Sequence, residues 1–429
     1  MIFTIIHATI LWILQFSPYP ELFIYPYLTT NGLLPYKQIL DQHFPGLMFF
    51  LINFHSLGFS DPQSFHILLI LIAIINSVWV YKISKSQLAV FFYMLWQPFF
   101  EGNQLWLDQF LPLFTLPAFW FFTNNKLALS GLLLGFGVVF KQTLIPLVAF
   151  AGIYLLFQKK FRDFTWFGIM SVLPSLVMLL YFYSKGILTD FWYWTVQFNL
   201  STYASGGRLA PTFSELLKLS LPVLIIIFAW IRSKNRKYLF LLIGWMLFSI
   251  IGGIARFGFI HLQSAIPYFS IICGLAFIHL WKINKKIFLV LTIICTLWIG
   301  WFYLKQKDFF TTRFFEPESL RLVSEIKNVT EPGDKIFLLG IQPHFYALTN
   351  TLPAGNIFVF QFPWFLEKSG SRILVSLKKE SPKLVVYDSS SQIDGLFLRN
   401  YADYLVRYVE ENFVPVKSIG TITIYESRN

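Results

Sequence analysis

The sequence predicts an α-helical polytopic membrane protein with about eleven transmembrane helices and a small C-terminal α/β domain outside the membrane. Of its 429 residues, 56% are hydrophobic and only 13% are charged, whereas an ordinary soluble domain has about 25% charged residues. Many cations lie in short gaps between apolar runs, so membrane topology explains the net charge of +12. A nucleic-acid partner is not expected, because no basic stripe is interleaved with stacking aromatic residues.

Eleven apolar runs approach the roughly 20 residues that a transmembrane helix needs. The predicted spans lie near residues 1–16, 64–81, 87–100, 109–123, 127–140, 142–157, 163–184, 216–232, 238–255, 261–281 and 287–304. The first run has no basic start and no small-residue cleavage site, which indicates a retained span. Cys273 and Cys295 fall inside spans, where we expect buried thiols and neither a disulfide framework nor a thiolate metal site.

The apolar stretch 46–59 is not counted as a span, because it is short, contains Asn53 and His55, and fits an interfacial amphipathic helix. With this stretch on the surface, the basic clusters between spans fall on the cytoplasmic side, as the positive-inside rule requires. The N-terminus is then cytoplasmic, while the first loop (residues 17–63) and an aromatic interfacial segment (residues 185–215) lie outside. The missing organelle-retention signal favours a bacterial plasma membrane.

Near residue 305 the long apolar runs give way to a more charged sequence. Residues 1–304 are therefore predicted to form the transmembrane domain, and residues 305–429 an extracytoplasmic domain. Charged helical runs alternate there with short β-branched strands, at residues 317–329, 335–340, 383–388, 400–412 and 421–426. This alternation is typical of a small α/β domain. A lone glycine after one strand is too weak a signal for a nucleotide site, and we assign the domain no catalysis.

Four carboxylates lie beside apolar or aromatic residues in the segments expected outside: Glu21, Asp41, Glu101 and Asp108. Partial desolvation at such positions can tune a carboxylate as a base. Taken singly, each is explained equally well as an ordinary loop residue. Asp41 fits a turn before Pro45, and Glu21 fits a solvated surface.

The same face carries five basic side chains: His43, Lys141, Arg208, Arg256 and His261. Cations at the depth of lipid headgroups suit the binding of a phosphate. Lys141 is the most informative, because it interrupts an apolar stretch, where an ionisable group is costly and indicates a functional site. The alternative is that Lys141 only snorkels at a short hairpin.

Several motifs follow one another in a recognisable order. They are Pro20-Glu21, Gly32 with Pro35-Tyr36, residues 41–47 (DQHFPGL), the F-K-Q-T join at 140–143, and a turn with Arg256, His261, Gln263 and Pro267. Together they resemble the type-C integral-membrane glycosyltransferases, in particular family 39, with the protein O-mannosyltransferases and the related bacterial lipid A aminoarabinose transferases. The resemblance extends over most of the chain as architecture, including an external α/β domain.

The resemblance implies that a sugar is transferred, with inversion, from a polyprenyl-phosphate donor to an acceptor hydroxyl at the outer face of the membrane. It implies a donor phosphate held by Lys141, Arg256, His261 and Arg208. It also implies a carboxylate base, Glu21 by preference or Asp41, because Pro20 stands where the family has its leading aspartate. The residues implied to orient the acceptor or the loop are Tyr36, His43, Glu101, Asp108 and Gln263.

Glu101 and Asp108 occupy a loop in which more distant oligosaccharyltransferase relatives bind a metal. Two carboxylates without a third ligand are weak evidence for a metal, so we expect no cofactor and a metal-independent reaction. The stretches 46–59 and 185–205 are expected to form an apolar groove for the isoprenoid tail. The sequence does not specify the sugar, nor whether the acceptor is a protein, a glycolipid or a wall glycan.

Two other functions stay open. A lipid or solute transporter or flippase would share this composition, although paired half-repeats with broken helices are missing. An outer-face polysaccharide ligase or polymerase also uses polyprenyl carriers, but such proteins typically carry their active cations in one large late external loop.

Overall fold

The computed structural model describes residues 2–46, 52–251, 255–305 and 308–428. Within these ranges the helices are, in chain order, α1 (Ile2–Ile13), α2 (Glu21–Thr30), α3 (Pro62–Ser84), α4 (Gln87–Phe99), α5 (Leu107–Phe110), α6 (Pro112–Thr123), α7 (Leu127–Phe140), α8 (Ile145–Phe157), α9 (Phe161–Ser184), α10 (Leu188–Trp192), α11 (Ala204–Gly206), α12 (Phe213–Arg232), α13 (Arg236–Phe248), α14 (Ile266–Ile283), α15 (Lys285–Leu304), α16 (Pro317–Val329), α17 (Phe345–Thr349), α18 (Pro363–Lys379) and α19 (Leu398–Asn412). Two π-helical turns, Tyr193–Gln197 and Asn199–Tyr203, fill the interfacial segment between α10 and α11.

All eleven predicted spans coincide with helices, namely α1, α3, α4, α6, α7, α8, α9, α12, α13, α14 and α15. Five of these, α3, α9, α12, α14 and α15, are long and apolar enough to cross a membrane by length and composition. Helix α15 exposes Ile287, Leu291 and Ile294 along one face, as a helix surrounded by lipid does. The predicted helical membrane architecture is confirmed.

Proline explains two boundaries that the sequence placed wrongly. The predicted span 261–281 begins as α14 only at Ile266, and the predicted span 142–157 begins as α8 only at Ile145. Pro267 and Pro146 occupy the first turns of these helices. A backbone N–H at this position has no hydrogen-bond partner within the helix, so a proline, which lacks the N–H, is tolerated there. His261 and Lys141 therefore lie in the connections that precede the two helices. The predicted span 238–255 also ends early, at Phe248.

The interfacial helix expected over residues 46–59 is wrong for the part that can be compared. Residues 47–51 lie outside the described residues, and residues 52–60 contain a turn at 54–58 and no helix. The side-chain amide of Asn53 donates to the carbonyl of Pro26 (3.2 Å) and to the hydroxyl of Thr29 (3.2 Å). This segment therefore packs on the C-terminal end of α2, a helix that the sequence did not predict.

Helices α7 and α9 cross closely at two glycines. A Cβ on Gly131 would stand 2.3 Å from the carbonyl oxygen of Phe167, and one on Gly135 would stand 2.5 Å from that of Ser171. Only glycine allows the two backbones to approach this far, as in small-residue packing of membrane helices. The contact holds α7 and the Lys141 at its C-terminal end.

The C-terminal domain contains a five-stranded mixed sheet in the order β10-β11-β7-β4-β5. The strands of the whole chain are β1 (Ser17–Pro18), β2 (Ile39–Leu40), β3 (Gln104–Leu105), β4 (Lys335–Leu339), β5 (Leu352–Pro353), β6 (Phe358–Val359), β7 (Leu384–Asp388), β8 (Gln392–Ile393), β9 (Leu396–Phe397), β10 (Phe413–Ile419) and β11 (Ile422–Ser427). Strands β4, β5 and β7 are parallel, whereas β11 is antiparallel to β7 and to β10. The three predicted strands are confirmed as β4, β7 and β11.

The C-terminal domain is joined to the first loop by backbone pairing. Strand β2 of the loop pairs in parallel with β6 of the domain, Ile39 with Phe358 and Leu40 with Val359. The hydroxyl of Tyr27 donates to the carbonyl of Thr351 at 3.0 Å. The loop and the domain therefore form one structural unit above the helices.

Candidate functional site

Lys141 lies at the centre of a buried ionic cluster with Asp108 and His261, which we call the lysine cluster. The Lys141 ammonium donates to Asp108 Oδ2 at 2.5 Å, and His261 Nδ1 lies 2.8 Å from the same oxygen. Lys141 is 3% exposed and Asp108 is 2% exposed. Three separate segments supply these residues: the end of α7, the short α5, and the turn before α14.

The lysine cluster holds Asp108 ionised. Burial raises the pKa of Asp108, but the neighbouring Lys141 and His261 outweigh burial and lower that pKa to about 2. Burial and Lys141 together lower the pKa of His261, so its ring is neutral at pH 7. Because Asp108 is an acceptor, the hydrogen-bond network assigns the proton to Nδ1 of His261, which leaves Nε2 as an acceptor.

Asp41 is the most fully hydrogen-bonded carboxylate of the first loop. Its Oδ2 accepts from the hydroxyl of Tyr25 at 2.5 Å, and its Oδ1 accepts from the backbone N–H of His43 at 2.7 Å. The Nδ1 atom of His43 lies 2.9 Å from the same Oδ1. The His43 ring stands edge-on to Trp106, at 5.5 Å between centroids, and it is close enough to His261 to lower the pKa of that residue. His43 therefore lies between Asp41, which it contacts, and Trp106.

Glu21 has a different environment, although it lies in the same loop. It is buried at the start of α2, and its Oε2 has no hydrogen-bond partner among the residues that the structure describes. Burial and the nearby charge of Asp41 raise the pKa of Glu21 to about 8. Tyr25 lies one helical turn further along α2, so its hydroxyl reaches Asp41 from the face that carries Glu21.

Three polar side chains fix the conformation of the first loop. Gln142 and Asn199 lie outside the loop, and Tyr36 lies within it. Gln142 donates to the carbonyl of Gln42 (2.8 Å) and accepts from the N–H of Phe44 (2.9 Å), and Asn199 also donates to the Gln42 carbonyl (2.8 Å). The hydroxyl of Tyr36 donates to the carbonyl of His43 at 2.8 Å. The segment around Asp41 is thereby held against the connection between α7 and α8 and against the interfacial segment.

Glu101 and Gln263 position the turn that carries His261. Glu101 Oε2 accepts from the N–H of Ile260 at 3.2 Å, and burial raises the pKa of Glu101. Gln263 is buried and donates to the carbonyls of Gln97 (3.1 Å) and Phe100 at the end of α4. The contacts of both side chains are with backbone groups, so their role here is to orient the loop.

Arg256 does not join the lysine cluster. It forms a bidentate pair with Asp394 of the C-terminal domain, at 2.7 and 2.9 Å, and it lies over the ring of Trp364 at 5.0 Å. Arg208 is exposed, and no hydrogen bond or ion pair joins it to any other described residue. The structure thus separates the four predicted phosphate ligands into Lys141 with His261, Arg256 with Asp394, and Arg208.

Sequence reasoning missed Tyr25, Gln142, Asn199 and Asp394. Only Gln142 carried a signal, because it belongs to the F-K-Q-T join that marks Lys141. The spacing of four residues between Glu21 and Tyr25 becomes informative only once α2 is known to be a helix. Among the described residues, no three His, Cys, Asp or Glu side chains form a metal-ligating group.

No protein-family model and no curated protein matches the chain. Among solved structures, the crystal structure of ArnT from Cupriavidus metallidurans bound to undecaprenyl phosphate is similar to it, with a TM-score of 0.68 at 10% sequence identity. The match covers 99% of this chain and 97% of the ArnT chain. At this identity the likeness shows the fold alone. The chain therefore has the fold of ArnT over nearly its whole length, as its resemblance to type-C transferases led us to expect.

Proposed function

We propose that this protein transfers a sugar from a polyprenyl-phosphate donor to an acceptor hydroxyl at the outer face of a plasma membrane. The observation that carries the proposal is the lysine cluster: a buried ammonium group paired with Asp108, whose carboxylate also contacts His261, next to a loop with two buried carboxylates. The fold supports it, because the similar ArnT structure was determined with undecaprenyl phosphate bound.

Lys141 is proposed to bind the donor phosphate. An ammonium group has three N–H donors, and its hydrogen bond to Asp108 leaves at least one for a ligand. A charge in a buried site interacts more strongly with a phosphate than the same charge in water does. We assign the phosphate to Lys141, because Lys141 is buried beside the first loop, whereas Arg256 pairs with Asp394 of the C-terminal domain and Arg208 is exposed. Neutral His261, which has no proton on Nε2 to donate, is proposed to position Lys141 through Asp108.

Glu21 is proposed as the general base. It removes the proton of the acceptor hydroxyl, the hydroxyl oxygen attacks the anomeric carbon, and the bond between that carbon and the phosphate oxygen breaks. The electron pair leaves on the phosphate, where Lys141 stabilises the negative charge, and one displacement of this kind inverts the anomeric centre. The raised pKa of Glu21, about 8, makes its carboxylate a stronger base than an ordinary glutamate. Asp41 orients the loop through Tyr25 and His43.

Metal independence is part of the proposal. The Lys141 ammonium supplies the positive charge at the leaving phosphate that a divalent cation would supply in a metal-dependent transferase. Activity should therefore survive EDTA.

The test measures the transfer or release of sugar from radiolabelled polyprenyl-phosphate hexoses and pentoses by the purified protein in detergent. We expect turnover of at least one donor, retained in EDTA and lost in Lys141→Ala. The matched control is Lys126→Ala, which removes an exposed lysine at the other end of α7. A wild-type protein that consumes no donor across the panel, or a Lys141→Ala variant as active as Lys126→Ala, would contradict the proposal.

A further inference from the structure

A cavity of ≈ 260 Å³ lies between the first loop and the sheet of the C-terminal domain. Residues that follow strand β4 (Gly340, Ile341 and Gln342) and residues that follow strand β7 (Ser391 and Ile393) line one side of it. The cavity therefore lies at the carboxyl ends of two adjacent parallel strands.

The position of the cavity in the sheet is the position where open α/β sheets bind ligands. From β4 the chain continues to β5 on one side, and from β7 it continues to β10 and β11 on the other side. Between β4 and β7 the direction of the connections reverses. Such a reversal opens a crevice outside the carboxyl ends of the strands, and ligands bind in that crevice.

The opposite wall of the cavity belongs to the proposed transferase site. Tyr19, Pro20 and Glu21 of the first loop form it. Glu21 is only 9% exposed, and its Oε2 has no hydrogen-bond partner within the part of the chain that the structure describes. A buried polar atom without a partner is uncommon in folded proteins and calls for an explanation. A ligand hydroxyl in the cavity would supply a hydrogen-bond partner for the Glu21 carboxyl.

The chemistry of the lining indicates an uncharged ligand with apolar faces. Aromatic rings dominate it: Tyr19, Phe314, Phe337, Tyr346, Phe358, Phe360, Phe362 and Tyr401. Its polar side chains include Gln342, Gln361 and Ser391, and the described lining residues include no lysine, arginine, histidine or aspartate. Apolar walls with a few polar groups are typical of small-molecule sites. The C–H faces of a sugar ring suit the aromatic walls, whereas a phosphate would find no cation.

We infer that this cavity binds the acceptor of the reaction, and that the acceptor presents an uncharged, hydroxyl-bearing sugar ring. The ring lies against the carboxyl edge of the sheet with one hydroxyl directed at Glu21. The volume is slightly below the range of about 300–1,000 Å³ for drug-sized ligands, so it accommodates a single ring. The role of this sugar as acceptor rests on the proposed function, whereas the binding of a neutral sugar in the cavity does not.

The test is equilibrium binding of radiolabelled methyl hexopyranosides and of methyl N-acetylglucosaminide to the full-length protein in nanodiscs, with glucose 1-phosphate as the anionic comparison. The variant Gln342→Trp places a large side chain at the cavity. The matched control is Gln392→Trp, since Gln392 is also exposed but does not line the cavity. Binding of undecaprenyl phosphate is measured in parallel for each protein.

We expect at least one neutral glycoside to bind saturably, to bind about tenfold or more weakly to Gln342→Trp, and to bind unchanged to Gln392→Trp. Undecaprenyl phosphate should bind equally to all three proteins. The inference is overturned if no neutral glycoside binds, if glucose 1-phosphate binds as tightly, or if Gln342→Trp binds like the wild type. If undecaprenyl phosphate does not bind to the wild type, the proposed function is contradicted. The glycoside measurements then still test whether the cavity binds a neutral sugar.

Discussion

Two ion pairs that both involve a predicted phosphate ligand differ in almost every physical respect. The side chains of Lys141 and Asp108 are 4% and 3% exposed, whereas those of Arg256 and Asp394 are 25% and 38% exposed. The first pair joins two segments of the helical domain, and the second joins that domain to the C-terminal domain. The difference indicates that cations with the same sequence-based prediction can serve chemistry or domain docking, and that burial separates the two roles.

The energetics of the two pairs follow from their burial. Removing one partner of a buried pair leaves an uncompensated charge, which costs about 3–5 kcal/mol. An exposed pair contributes about 0.2–1 kcal/mol. Taking both charges of a buried pair out of water costs about as much free energy as their attraction returns, so the lysine cluster is better explained by a function than by stability.

The largest expected effect comes from removing the lysine. Lys141→Met should lower the rate of sugar transfer about 10²- to 10³-fold, because the charge on the leaving phosphate loses its nearest cation. Lys141→Met should also lower the melting temperature, since Asp108 is left buried and unpaired.

The double variant Lys141→Met with Asp108→Asn separates these two effects. It should recover most of the lost stability without recovering activity. If activity returned together with stability, the lysine cluster would be structural and would resemble the Arg256 pair in function.

The pH dependence of activity is the next largest effect. Because burial and Asp41 raise the pKa of Glu21 to about 8, the base is mostly protonated at pH 6 and becomes ionised as the pH rises. The value of kcat/KM should therefore increase about tenfold per pH unit from pH 6 to pH 8 and then level off. A flat profile over this range would assign the base to another group, with Asp41 as the next candidate.

Stability should change with pH in the opposite direction. The pKa of Glu21 rises from 4.5, its ordinary value, to about 8 in the folded protein, so the folded state binds this proton more tightly than the unfolded state. The resulting stability is fully present below pH 4.5 and is lost as the pH rises towards 8, at up to about 1.4 kcal/mol per pH unit.

The variant Glu21→Gln removes this dependence. Its melting temperature in detergent should exceed that of the wild type increasingly between pH 5 and pH 8, and the two should agree near pH 4. A constant difference across this range would show that Glu21 does not titrate in a buried environment.

The smallest effect is expected at the Arg256 pair. Arg256→Ala and Asp394→Ala should each change donor binding less than about threefold, because a partly exposed pair contributes little. If Arg256 instead bound the donor phosphate, Arg256→Ala would weaken binding strongly while Asp394→Ala would not. Equal, small effects of both variants on undecaprenyl phosphate binding would support the docking role.

The sequence predicted the elements better than the contacts between them. Apolar length alone locates the eleven spans, and β-branched runs locate β4, β7 and β11. Helix α2 was missed because Pro26 lies inside it, and an interior proline normally breaks a helix. Here the packing of a helix whose first eight residues, Glu21 to Leu28, are buried overrides the local preference.

The sequence predicted individual residues of the candidate site but not which of them contact one another. Lys141 was singled out by the cost of a charge in an apolar stretch, a local property. Its partners lie 33 and 120 residues away in the chain, and no local pattern indicates such a pairing. The same holds for Arg256 and Asp394, which are 138 residues apart. The burial of Glu21 likewise depends on the C-terminal domain, whose docking on the first loop the sequence did not reveal.

The most direct test of the central claim is the binding of undecaprenyl phosphate to the wild type and to the double variant Lys141→Met with Asp108→Asn, which removes both charges and leaves no unpaired ion. We expect saturable binding to the wild type, binding at least about tenfold weaker to the double variant, and unchanged binding to Lys126→Met. Equal binding to the wild type and to the double variant would contradict the claim that the lysine cluster holds the phosphate of a polyprenyl carrier.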